Sequence, residues 1–93
     1  MKQIVILPSF ERSLRKLTPA QKKQVTECLE VFNQFLISGH MPYGLGFKKI
    51  NHDKFEFRVD IRIRIILKVE GNDYYLVLVG NHDDVRKYLK SFR

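Results

Sequence analysis

At 93 residues, 44% hydrophobic and 12% aromatic, the chain suits one packed domain spanning 1–93 and is too apolar for a disordered one. Seventeen basic against ten acidic residues leave a net charge of +7, which favours a polyanionic partner: nucleic acid or an acidic protein. The longest apolar run is about five residues where a membrane span needs roughly twenty, so no membrane partner is expected. Met1–Leu7 runs at once into Pro8 and a charged segment, unlike a secretory leader, and the single cysteine, Cys28, excludes an internal disulfide. A cytoplasmic location is therefore expected. No CxxC, HExxH or EF-loop spacing occurs, so neither a metal site nor a cofactor is expected.

Residues 3–7 (QIVIL) form a short apolar run, as in a strand buried on both faces. Pro8 stops it, and Ser9 suits the cap of a first helix with Phe10, Leu14 and Leu17 on one face. Thr18-Pro19-Ala20-Gln21 marks a second helix start, with Thr18 as cap, Pro19 at the first position and Gln21 as reciprocal partner. The stripe Val25, Cys28, Leu29, Phe32, Phe35, Leu36 then runs to a stop at Gly39. Cys28 belongs to that stripe and reads as core, since nothing cationic is placed to activate it.

Gly39 to Gly46 is a loop rich in glycine, and Phe47–Ile50 begins a second strand carrying Lys48 and Lys49. His52-Asp53 reads as a turn, and His40 and His52 are loop histidines without an evident role. Phe55, Phe57 and Val59 alternate with Glu56 and Arg58. In the next strand Ile61, Ile63, Ile65, Leu67 and Val69 share one face, and Arg62, Arg64, Ile66 and Lys68 the other. Gly71-Asn72 makes a two-residue hairpin turn into Tyr74–Val79, and Asp83 and Asp84 open a closing helix. The expected order is β-α-α-β-β-β-β-α. The class is α+β: a small antiparallel β-sheet packed by an N-terminal α-hairpin, with a short C-terminal helix.

Counting back from the Gly71-Asn72 turn pairs Val69 with Tyr74, Arg64 with Val79 and Arg62 with Asn81. Arg62 and Arg64, with Arg58 from the strand before, then reach the sheet edge beside His82. Cations around one imidazole suit a phosphate. Each member also has an ordinary explanation: a strand arginine is solvated or paired with Glu56 or Glu70, and Asp83 and Asp84 cap a helix. For the two aspartates the capping role is preferred.

The segments SFERSLRKL, GLGFKKI, FEFRVDIRIRIILKV and above all YYLVLVGNHDDVRKYL resemble the RelE/ParE superfamily of bacterial type II toxins, from Gln3 to Leu89. The resemblance implies a toxin that cleaves messenger RNA on the ribosome without metal, through attack of the 2′-hydroxyl on the adjacent phosphorus. Arg64 matches the family's strand arginine and would hold the scissile phosphate. His82 matches the catalytic histidine kept by some members. Many members carry an aromatic four residues later, where Arg86 stands here, and Tyr88 would substitute for it. Glu56 and Arg58 stand where several members have two lysines. Lys48, Lys49, Arg58 and Arg62 would contact the RNA backbone.

The implied partners are a cognate acidic antitoxin, messenger RNA and the ribosome, with operator DNA reached only through the antitoxin. Two other readings use the same fold: a gyrase-targeting toxin without nuclease activity, and a non-toxic RNA- or protein-binding domain.

Overall fold

The computed structural model describes residues 3–39, 47–51 and 53–91. Its elements are β1 (Gln3–Ile6), α1 (Pro8–Arg15), α2 (Pro19–Ser38), β2 (Lys48–Lys49), β3 (Lys54–Arg58), β4 (Arg64–Glu70), β5 (Asp73–Gly80) and α3 (His82–Ser91). The expected order and the α+β class hold. Most of the glycine-rich loop, with His40, and His52 of the expected turn lie outside the described residues.

One five-stranded sheet runs β1-β5-β4-β3-β2. The β2 to β5 ladders are antiparallel, while β1 joins β5 in parallel. Parallel pairing needs a crossover, and the two helices that follow β1 provide it. The expectation that β1 is buried on both faces is corrected: it is an edge strand, and Ile6 is 51% exposed.

The first helix starts two residues earlier than expected. Leu7 is the cap residue without a side-chain bond, and Pro8 takes the first turn, where its missing N–H costs nothing. Ser9, expected as the cap, instead donates its hydroxyl to the Val77 carbonyl at 2.6 Å. Helix α2 follows the expectation closely. The Thr18 Oγ1 accepts from Gln21 N at 3.2 Å, and Gln21 Oε1 accepts from Thr18 N at 2.9 Å. Gly39, at φ 81°, ends the helix in the left-handed conformation that a side chain resists.

The core lies between α1, α2 and one sheet face. Phe32 is its centre, with ring centroids 4.9 Å from Phe57, 5.6 Å from Tyr74 and 5.8 Å from Phe47. Phe10, Val25, Ile63, Ile65, Leu67, Leu76 and Val79 complete its buried part. Cys28 packs against this cluster and directs its thiol to the Arg58 carbonyl, 3.6 Å away. Burial pushes the thiol up to about 11, so at neutral pH it is an inert core group.

The hairpin turn is as expected, with Gly71 at φ 62° and no non-glycine residue at positive φ among those described. Further along, the register departs from the simple count. Leu67 pairs with Leu76 but Ile66 pairs with Leu78, so Val77 is an extra residue. The bulge is held from α1: Ser9 takes the Val77 carbonyl and Ser13 Oγ accepts from Val79 N at 3.0 Å. These bonds satisfy the edge of β5 beyond the end of β1. Downstream of the bulge, Val79 returns to the core face, and Leu78 and Gly80 point to the other.

That second face is not simply wet. Ile66 is fully buried and Val85 of α3 is buried, because α3 folds back over β4 and β5. Alternation alone had placed Ile66 among solvated arginines.

Candidate functional site

The bulge decides where the arginines arrive. Arg64 pairs with Gly80, one residue nearer His82 than the count to Val79 implied, and Arg58 pairs with Arg64 on the other side. A row Arg58–Arg64–Gly80 thus crosses three strands, and His82 follows two residues on, within about 7 Å of backbone. Like charges directly opposite repel, so this row holds a locally concentrated positive charge.

Arg62 does not continue the row, which corrects its expected pairing with Asn81. The chain turns between β3 and β4, and Asp60 Oδ1 accepts from both Arg62 N and Ile63 N at 2.8 Å. Arg62 is exposed at that turn, and Ile61, expected on the core face, is 83% exposed beside it. Neither Arg58 nor Arg62 has an acidic partner among the described residues.

His82 is the first residue of α3 and is exposed. The helix start is built by Asn81 and Asp84. Asn81 Oδ1 accepts from Asp84 N at 2.9 Å, and Asp84 Oδ2 accepts from Asn81 N at 3.0 Å. This reciprocal box bears out the capping role of Asp84. Asn81, the cap itself, was missed by the sequence reading, although Asn-x-x-Asp is its signal.

Gly80 makes the box possible, since a Cβ there would fall 2.6 Å from Asp84 Oδ2 and 2.8 Å from Asp84 Cβ. Gly80→Ala is therefore expected to displace the start of α3 and destabilise the fold by about 1–2 kcal/mol, the size of a lost cap. Thermal unfolding checks this, and an unchanged midpoint would show that the helix start relaxes freely.

Among the described residues Glu56 is the charged one that the fold buries most, at 7% exposure. Its Oε2 accepts from Arg64 Nη1 at 3.3 Å, and its Oε1 lies 3.9 Å from Lys48 Nζ. The ordinary explanation, an arginine paired with a strand glutamate, holds for Arg64. Arg64 Nε is buried without a hydrogen-bond partner. The two lysines of β2 separate: Lys48 pairs with Glu56 on this face, whereas Lys49 pairs with Phe55 and points away. At the far end of the face Asp53 meets Lys54 and Lys68, and Lys68 meets Glu70, so that end is charge-balanced.

Tyr88 and Arg86 part company on α3. Arg86 is exposed, while Tyr88 is half-buried with Leu89. Burial first, and then the Asp53 carboxylate, raise the Tyr88 phenol above its ordinary 10.0, so it keeps its proton at any physiological pH. Tyr88 also lines an open groove of about 510 Å³ with Asp84 and Lys87, facing Ser13, Lys16 and Leu17 across Leu78 and Gly80. Neither Arg64 nor His82 lines this groove, so the concave space and the arginine row are distinct features.

With this geometry the chain has the fold of the RelE-like toxins, in agreement with the resemblance read from the sequence. A chain of the RelB–RelE antitoxin–toxin complex from Methanococcus jannaschii superposes with a TM-score of 0.71 at 19% identity, covering 90% of this chain and 96% of that one. YafQ from Escherichia coli superposes at 0.65 with 14% identity, covering 91% and 98%. A chain of the YoeB–YefM complex from Staphylococcus aureus gives 0.61 at 14% identity, covering 88% and 98%. No protein-family model matches the chain, and a search of curated proteins finds no match. No described helix is long and apolar enough to cross a membrane.

Proposed function

We propose that the chain is the toxin of a type II toxin–antitoxin system, a metal-independent endoribonuclease that cleaves messenger RNA on the ribosome and so inhibits translation. The observation that carries this reading is the row Arg58–Arg64–Gly80 ending at the exposed His82. The fold shared with chains of the RelB–RelE antitoxin–toxin complex and the YoeB–YefM complex supports it.

In this reading the 2′-hydroxyl oxygen attacks the adjacent phosphorus as its proton leaves to solvent. The bond from phosphorus to the 5′-oxygen breaks, and a 2′,3′-cyclic phosphate remains. Arg64, with Arg58 beside it, neutralises the charge that builds on the non-bridging oxygens. His82 donates a proton to the departing 5′-oxygen, the general-acid role open to an imidazole at this position. Tyr88, protonated, and Arg86 are the further candidates on α3, and Lys48, Lys49 and Arg62 extend the cationic surface along the RNA. The net charge of +7 suits an acidic antitoxin, through which operator DNA would be reached.

The test is inducible expression with mapping of messenger 5′ ends, comparing wild type with His82→Ala. Growth arrest with new ends in wild type alone is the expected result. Arrest without new ends would instead support a gyrase-targeting toxin, the reading that the pairing of Arg64 with Glu56 favours. No arrest would support a non-toxic binding domain.

A further inference from the structure

The Arg64 guanidinium has a counter-ion that satisfies it poorly. Glu56 reaches it through one long contact of 3.3 Å from Nη1, although the guanidinium fork and a carboxylate can form two parallel bonds. Nε, the donor that would complete such a pair, is buried and unpartnered. Buried N–H groups are nearly always satisfied, so this donor is one that an incoming acceptor can use. Lys48, at 3.9 Å, adds charge but no hydrogen bond to Glu56. Arg58, directly opposite Arg64, has no acidic partner among the described residues. Arg64 and Lys48 therefore share one carboxylate that uses a fraction of their donors, while Arg58 stands opposite Arg64.

We infer that Glu56 is an exchangeable internal anion: its carboxylate holds the place of a phosphodiester on Arg64 and leaves when the phosphate arrives. A carboxylate and a phosphodiester each carry one negative charge and two free oxygens with room for the guanidinium fork. The phosphate, not tethered to β3, engages Nε and Nη together, while Glu56 turns to Lys48, whose register position faces it. Glu56 thus screens the Arg58–Arg64 repulsion in the free protein and sets a threshold that weak anions do not pass. The phosphodiester as natural ligand rests on the nuclease reading above; the exchange itself does not.

The experiment measures binding of inorganic phosphate by thermal shift, and of a fully 2′-O-methylated single-stranded RNA decamer, which cannot be cleaved by 2′-hydroxyl attack. Glu56→Gln is expected to bind both roughly tenfold more tightly than wild type, the worth of one charge-assisted hydrogen bond. Glu70→Gln removes the same charge from the exposed end of the same sheet and is expected to change binding by less than about twofold. In Glu56→Gln/Arg64→Gln the gain is expected to disappear.

A Glu56→Gln gain no larger than that of Glu70→Gln, or one that survives loss of Arg64, would overturn the inference. Glu56→Asp keeps the charge on a shorter stem and serves if the glutamine variant does not fold. It too is expected to bind phosphate more tightly, and no gain there would overturn the exchange. The messenger mapping reads the nuclease separately. Exchange without cleavage removes the nuclease and leaves the exchange, and cleavage without exchange does the reverse.

Discussion

Arg64→Ala is expected to lower messenger cleavage by about two to three orders of magnitude, the cost of removing one preorganised donor from a developing oxyanion. The same substitution leaves Glu56 with only Lys48 at 3.9 Å, so it also destabilises the fold. Breaking a fully buried pair costs several kcal/mol; here the side chains are 22% and 10% exposed, which lowers the expected loss to about 1–2 kcal/mol. A domain with roughly 5–15 kcal/mol of stability remains folded after such a loss, so unfolding is too small an effect to explain the drop in cleavage. Two companion variants separate the effects. Arg64→Ala/Glu56→Gln is expected to regain stability and remain inactive, while Arg64→Lys keeps the charge but loses the fork and falls between. Thermal unfolding and single-turnover cleavage on programmed ribosomes make the comparison. Recovery of cleavage in the double variant would show that Arg64 serves the fold alone.

The second large effect belongs to the core. Phe32→Ala is expected to cost about 3–5 kcal/mol, because the ring is fully buried at the centre of the aromatic cluster. At about 4–8 °C per kcal/mol for a domain of this size, the midpoint falls by at least about 12 °C. The four aromatic rings within 6 Å of Phe32 would lose their common contact at once. Ile37→Ala, five residues on along α2 and 72% exposed, is expected to shift stability by less than about 0.5 kcal/mol. A small effect at Phe32 would mean that Phe47 and Phe57 close over the gap.

Local signals carried the elements whose cause is local. The Thr18-x-x-Gln21 box, the Gly39 stop, the Gly71 turn and the period-two alternation of β3 each act within a few residues, and the structure agrees with each. The order of the elements and the α+β class followed from them. The candidates Arg64 and His82 were legible as neighbours from the count back along the hairpin, and the resemblance gave them their expected roles.

What the sequence left open depends on contacts between distant segments. The bulge at Val77 is stabilised by Ser9 and Ser13, whose hydroxyls reach β5 from a helix 66 to 68 residues away. No count along a hairpin includes them, and the count therefore stopped one residue short of Gly80. The parallel place of β1 depends on a crossover, the burial of Ile66 on α3 folding back, and the exposure of Ile61 and Arg62 on Asp60 closing a turn. The sequence by itself determined which residues form strands and helices and which side chains carry charge, because propensity, capping and alternation are short-range. Only the tertiary structure decided that Glu56 meets Arg64, that Lys48 and Lys49 part to opposite faces, and that Arg64 stands opposite Gly80 while Arg62 leaves the row, because register and face are set by packing between segments.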